Sequence, residues 1–207
     1  MKPTEVLMGE HRVIEQVLDC LEALAHECDV RGQIDADAAA KLLEVLATFA
    51  DRCHHGKEEN QLFVALEKRG FPRHVGPMAV MLDEHEIGRR AIREMRDALV
   101  DGGLDPAAAA RRFHRAATGY VELLRDHIAK EDGVLFPMAE SVLGEAEKAA
   151  VLAAFEKAER DDLGAGVHQR MLQLADELAD RFRVPKGAAR PQSAMSGGCC
   201  HGHGGCH

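Results

Sequence analysis

His54-His55-Gly56-Lys57-Glu58-Glu59, followed by Leu62-Phe63, decides how this chain is read, because it returns later as His127-Ile128-Ala129-Lys130-Glu131-Asp132, followed by Leu135-Phe136. Both copies read His-x-x-Lys-Glu, then Glu or Asp, then x-x-Leu-Phe. The His-to-Glu and Glu-to-Leu spacings are four in each copy. Residues four apart share one face of an α-helix, one turn above each other, so both copies are read as helical. A shorter echo, Glu10-His11 and Glu84-His85, stands upstream of each. His11 lies 43 residues before His54, and His85 lies 42 before His127. The chain thus has the plan of two similar helical hairpins related by a pseudo-twofold axis.

Working outward from the repeats, helix signals cover most of the chain. Val6, Val13, Val17, Leu21 and Leu24 give roughly helical spacing over Glu5 to Cys28, and Arg31-Gly32-Gln33 breaks it. Asp35 or Asp37 can cap a second helix that carries Leu42, Leu43, Leu46, Phe49 and Leu62 and stops at Gly70 and Pro72. Pro77 suits the first turn of a third helix, which ends at Gly102-Gly103. Asp105-Pro106 opens a fourth, expected to last to about Gly133, with Pro137 bending or ending it. Two further helices are read over Glu145 to Asp161 and Val167 to Phe182, separated by Gly164 and Gly166. The fold class expected is all-α: an up-down four-helix bundle over residues 1–142, a helical extension packed on it over 143–183, and a disordered tail over 184–207.

Composition agrees. Hydrophobic residues make up 46% of the 207, and aromatics only 4% with no Trp, so the core must be aliphatic, which favours helices over a β-sandwich. The net charge of -9 argues against a nucleic-acid or anionic-membrane surface. No apolar run approaches the roughly 18 residues that suggest a membrane span. Met1 to Glu5 shows no apolar signal sequence, and a cytoplasmic location is expected. Of six cysteines, Cys20, Cys28 and Cys53 stand singly in helices. Cys199, Cys200 and Cys206 crowd the end and are better read as reduced metal ligands than as a disulfide framework.

The helical geometry turns the repeats into a site. His54 with Glu58, and His127 with Glu131, each present one imidazole and one carboxylate to the bundle interior, and His11 and His85 add an imidazole each. Burying four imidazoles and two carboxylates is costly without a cation or full pairing. Two carboxylates can bridge two metal ions, with imidazoles as terminal ligands, a mixed N/O set that favours non-haem iron. His55 with Glu59 is the alternative to His54 with Glu58; neighbours on an α-helix face about 100° apart, and the repeat register favours His54. Glu10, Glu59, Glu84, Asp126 and Asp132 flank these positions as acceptors for imidazole N–H groups or as surface charge. Lys57 and Lys130 are expected to point outward, and Cys53 to be a small buried apolar group. Tyr120, two turns before His127, is either a donor to a bound ligand or a buried phenol with an ordinary partner. His26, His74, His114 and His168 show no paired spacing.

These motifs, Glu10-His11-Arg12, His54 to Glu59 with Leu62-Phe63, Asp83-Glu84-His85-Glu86, and Asp126 to Glu131 with Leu135-Phe136-Pro137, resemble the hemerythrin-like, or HHE cation-binding, family over about residues 5–140. The resemblance implies an up-down four-helix bundle with an oxo-bridged di-iron centre held by His11, His54, Glu58, His85, His127 and Glu131. Animal oxygen carriers of the family have a second ligand His four residues after the third-helix His, where this chain has Arg89. Their fourth-helix Asp lies five residues after the His, where this chain has Asp132, while Glu131 has the spacing of four. The chain is thereby more similar to the bacterial di-iron proteins linked to repair of damaged iron centres and to NO or peroxide. The ligand implied is a small diatomic or peroxide. The alternative role is iron storage or delivery, with an iron-accepting partner protein. Separately, Ser196 to His207 packs three thiols and three imidazoles among glycines, a set suited to Zn, Cu or Ni.

Overall fold

The computed structural model describes residues 1–187 except Ala165, together with all their side chains but those of Asp162 and Leu163. The described residues form six helical rods and no strand. Helix α1 (Pro3–Arg31) starts on a first-turn proline and ends at Gly32, whose φ of 65° a residue with a side chain rarely adopts. Helix α2 spans residues 36–68 and is capped by the Asp35 side chain accepting from the Ala38 N–H. It runs as Ala36–Val45, then two stretches of wider i→i+5 turns, Leu46–His55 and Glu58–Leu62, then Phe63–Lys68. Helix α3 is Pro77–Asp101. Helix α4 spans residues 106–142 as Pro106–Lys130, a wide turn Glu131–Leu135, and Phe136–Val142. The Asp105 side chain caps it by accepting from the Ala108 N–H.

Pro137 neither ends α4 nor stops it near Gly133. The Phe136 N–H bonds to the Glu131 carbonyl, five residues back, so the backbone is already out of α register when proline arrives. Such a turn absorbs the missing donor and the ring that would strike the carbonyl four residues earlier. A wide turn begins at each repeat glutamate, Glu58 and Glu131, so this part of the sequence repeat is also a repeat of backbone geometry.

The four helices α1 to α4 close in chain order, with α4 returning beside α1. Helix α5 (Glu145–Ala158, continued by a wide turn Glu159–Leu163) and helix α6 (Val167–Phe182) lie outside them against α1 and α2. Met171, Ala175, Leu178 and Ala179 of α6 are buried in the same apolar cluster as Ile14, Leu18 and Leu21 of α1. After α6 the chain turns back: the Gly187 N–H donates to Gln16 Oε1, and a Cβ on Gly187 would strike the Arg12 carbonyl. The described start of the expected tail, residues 184–187, is therefore docked on α1, while the Gly/Cys/His-rich stretch lies outside the described residues.

The core has two apolar clusters. One holds Ile14, Leu18, Leu21, Phe49, Phe113 and Leu124; the other holds Leu7, Leu62, Phe63, Met81, Leu135 and Phe136. On every helix of the bundle a polar residue interrupts the buried stripe at the boundary between them: His11 on α1, His54 to Glu58 on α2, His85 on α3, and His127 and Glu131 on α4. Burying each large apolar side chain contributes about 1.5–3 kcal/mol. Against that background, a fully buried polar layer across the whole bundle calls for a specific account.

Candidate metal centre

The six side chains singled out by the repeats, His11, His54, Glu58, His85, His127 and Glu131, meet in that layer, each at most 1% exposed. His55, 3% exposed, joins them as a seventh. The sequence register favours His54 over His55, yet the structure turns both inward. Both lie in the wide-turn stretch Leu46–His55, where closure at i→i+5 reduces the angle between neighbours below that of an α-helix. The signal available in the sequence was the His-His pair itself; the wide turn that uses it was not legible.

The seven side chains form two overlapping groups. His55, Glu58, His85 and His127 offer ligand atoms all within 4.8 Å of one another, and so do His11, His54, Glu58 and Glu131. Glu58 belongs to both: Oε1 lies 3.5 Å from His54 Nε2 and Oε2 lies 3.5 Å from His85 Nε2. Glu131 also reaches across, but through one oxygen: Oε2 lies 3.2 Å from His11 Nε2 and 3.3 Å from His127 Nε2. Nevertheless both oxygens of Glu58 and of Glu131, Nε2 of His11 and of His54, and both ring nitrogens of His55 lack a hydrogen-bond partner. Leaving so many polar atoms unpaired costs several kcal/mol unless a cation sits among them. The donor set therefore fits two metal ions sharing carboxylates.

A second ring of carboxylates explains the flanking acids. His11 Nδ1 is 2.7 Å from Asp132, His54 Nδ1 is 2.9 Å from Glu10, His85 Nδ1 is 2.6 Å from Glu59, and His127 Nδ1 is 2.9 Å from Glu84. Each imidazole leans on an acid from the preceding helix of the cycle. With Nδ1–H donating outward, Nε2 is left to face the interior, the arrangement that fixes a ligand's tautomer and orientation. Each acid is also tied to a cation: Asp132 to Arg12, Glu10 to Lys57, Glu59 to Arg89 and Glu84 to Lys130. Arg89, at the position of the carriers' extra His, thus holds a carboxylate that holds His85. Asp126, by contrast, is exposed. The Leu-Phe ends of the repeats find a use as well: Phe63 stacks on His85 at 6.3 Å and Phe136 on His11 at 5.4 Å between ring centres.

Lys57 does not point outward. It is buried at 1% exposure with its ammonium bonded to Glu10 and to Glu159. Its repeat mate Lys130 bonds to Glu84 and keeps 41% of its side chain exposed. A third group of possible ligands, Glu10, Cys53, Glu159 and His168, surrounds the Lys57 ammonium, which already supplies the positive charge there. Cys53 is buried as expected, and burial pushes its thiol up to about 12. Tyr120 is 1% exposed, its ring against Gly88 and its hydroxyl without a partner. Of the other histidines, His26 and His74 are exposed, His114 Nδ1 lies 3.0 Å from the Ala25 carbonyl, and His168 lies against Phe49 and Glu159.

The electrostatics follow from burial and pairing. Burial raises Glu58 well above the usual carboxylate range, with the charge of Glu131 adding to it. Burial acts on Glu131 too, but His127 and His11 outweigh it and hold that carboxyl well below. Burial likewise works against Glu10, which His54 and Lys57 bring down to about 2. Burial holds His54 at about 4 and depresses His55, whose neighbours His85 and His127 push it the same way. Against burial, Glu131 and Glu84 raise His127 to about 9, and Asp132 and Glu131 raise His11. Neutral imidazoles and charged carboxylates are the forms that bind metal, so a cation entering the layer would displace the protons held by Glu58, His127 and His11.

Residues 2–139 match the family model described as the hemerythrin HHE cation binding domain. An uncharacterized protein of Mycobacterium bovis and another of Mycobacterium tuberculosis are each 26% identical to the chain over 184 residues, which make up 85% of this chain and 67% of the relative. No solved structure gives a significant match.

Proposed function

Because the chain belongs to the hemerythrin HHE cation-binding domain family, we propose that its buried polar layer holds two iron ions, and that the protein binds or processes a small oxidant or diatomic: O2, NO or peroxide. The carrying observation is Glu58, whose two unpaired oxygens face two different groups of donors. Imidazole with carboxylate, and no thiolate, is a donor set suited to iron. His11, His54, His55, His85 and His127 would hold the ions with Glu58 and Glu131. When bound, such a pair supplies open coordination positions and a change of oxidation state.

The chain's own residues do the rest. Asp132, Glu10, Glu59 and Glu84 hold four imidazoles in one tautomer with Nε2 inward. The apolar layers on either side, including Phe63, Phe136 and Leu124, exclude bulk water and solvated ions, so that a small uncharged molecule enters more readily than a large anion. Arg12, Lys57, Arg89 and Lys130 balance the charge of the outer acids.

The test is iron content per chain in protein purified without a histidine-binding resin, with the visible spectrum recorded before and after O2, NO or peroxide. Two irons per chain and a spectrum that responds while iron stays bound are expected. Iron that leaves at once to a weak chelator would favour storage or delivery, and a chain without bound metal would overturn the reading.

A further inference from the structure

Three links join the surface of the helical extension to the polar layer. Glu159, at the start of the wide turn that continues α5, accepts from the Lys57 ammonium. Lys57 also donates to Glu10, and Glu10 holds His54 Nδ1 at 2.9 Å. Phe155 of α5 covers the ammonium from 5.8 Å. A cavity of about 40 Å³ lies alongside, lined in part by Cys53, Lys57, Asn60 and Glu159. The matching links on the other hairpin, Lys130 to Glu84 to His127, stop at the lysine, which is 41% exposed. Glu159 lies beyond residue 139, where the family match ends. The extension therefore breaks the pseudo-twofold symmetry of the centre by burying one lysine relay and adding an acid to it.

We propose that Glu159 is a positioning residue for the metal centre, acting through Lys57 and Glu10 to hold the His54 imidazole and so to slow loss of the ion on the His11 and His54 side. An ammonium fixed between two carboxylates keeps both in place. Without Glu159, Lys57 is held from one side only and turns toward the neighbouring cavity, and Glu10 loses its fixed orientation against His54. Outer partners of this kind change metal affinity by about 10- to 100-fold.

This inference rests on the proposed di-iron reading, and the experiment separates the two. Ferrous iron is loaded into the full chain, and its release to excess bipyridyl is followed by absorbance for wild type, Glu159→Gln, Glu159→Asp and Met171→Ala. Met171 is buried in α6 and touches the packing of the extension without being part of the relay. Glu159→Gln is expected to release one of its two irons about tenfold faster, with Glu159→Asp closer to wild type and Met171→Ala unchanged at a temperature where all four are folded. In metal-free protein, the His54 Nδ1–H proton seen by NMR should exchange faster in Glu159→Gln than in Glu159→Asp. Release from Glu159→Gln within twofold of wild type, or equal acceleration in Met171→Ala, would overturn the positioning role while leaving the di-iron reading standing. A wild-type chain that takes up no iron would overturn that reading instead, and the NMR comparison would still decide whether Glu159 orders His54.

Discussion

At the residue scale, the seven inward side chains are not equivalent. Glu58 faces both donor groups, whereas His55 belongs to one and has no close Nδ1 partner; its nearest acid, Asp51, is 3.5 Å away. Glu58→Ala should therefore remove nearly all bound iron and lower the melting temperature, and His54→Ala should lower bound iron sharply. His55→Ala should leave about one ion per chain, as measured by elemental analysis. Tyr120 poses the opposite case. Its buried hydroxyl has no partner, so Tyr120→Phe deletes an unsatisfied donor without opening a cavity. A stability gain of about 1 kcal/mol in urea unfolding is expected.

At the scale of the element, the caps and the wide turns divide the work. Asp105 starts α4 by accepting from the Ala108 N–H, a role read directly from Asp105-Pro106. Asp105→Ala should cost about 1 kcal/mol, measured by denaturant unfolding, with no change in metal content because the cap lies five turns or more from the centre. The wide turns were not legible. Nothing in Leu46 to His55 announces i→i+5 bonding, and helical periodicity alone places His54 and His55 on different faces. Likewise Pro137 reads as a helix end because its chemistry is local, whereas the displaced register just before it lets α4 continue to Val142. The lysines illustrate the same limit. Lys57 and Lys130 occupy equivalent places in the repeat, but of the two only Lys57 is covered, because α5 and α6 pack chiefly on α1 and α2.

At the scale of the whole molecule, the polar layer separates two apolar clusters, so ions held there would bridge all four helices of the bundle. Stripping metal with a chelator should lower the thermal midpoint, and restoring iron should recover it, since ligand bound only by the folded state stabilises that state. Distant from the centre, Cys20 and Cys28 are buried, which raises their thiols from an ordinary 9.0 to about 12 and about 11. The unfolded chain ionises these thiols first. Their contribution is thus fully present below pH 9 and is lost as pH rises from there to about 11 for Cys28 and about 12 for Cys20. Each thiol is worth roughly 1 kcal/mol per pH unit in that window. Unfolding free energies at pH 8, 9 and 10 should show the fall, and Cys20→Ala should make it shallower. Removing residues 190–207 should leave the iron content of the centre unchanged, as checked by elemental analysis of a chain ending at Ala189.

The sequence by itself determined the helices, the hairpin repeat and six of the seven inward side chains, because helical periodicity and spacings of four are local properties that survive without knowledge of any neighbour. Tertiary structure alone decided the rest. Whether His55 turns inward depends on a backbone register set over ten residues. Whether Glu10, Glu59, Glu84 and Asp132 serve imidazoles or water depends on the next helix in the cycle. Whether Lys57 is buried depends on a helix a hundred residues away. Those outcomes are distances across space, and spacing along the chain does not carry them.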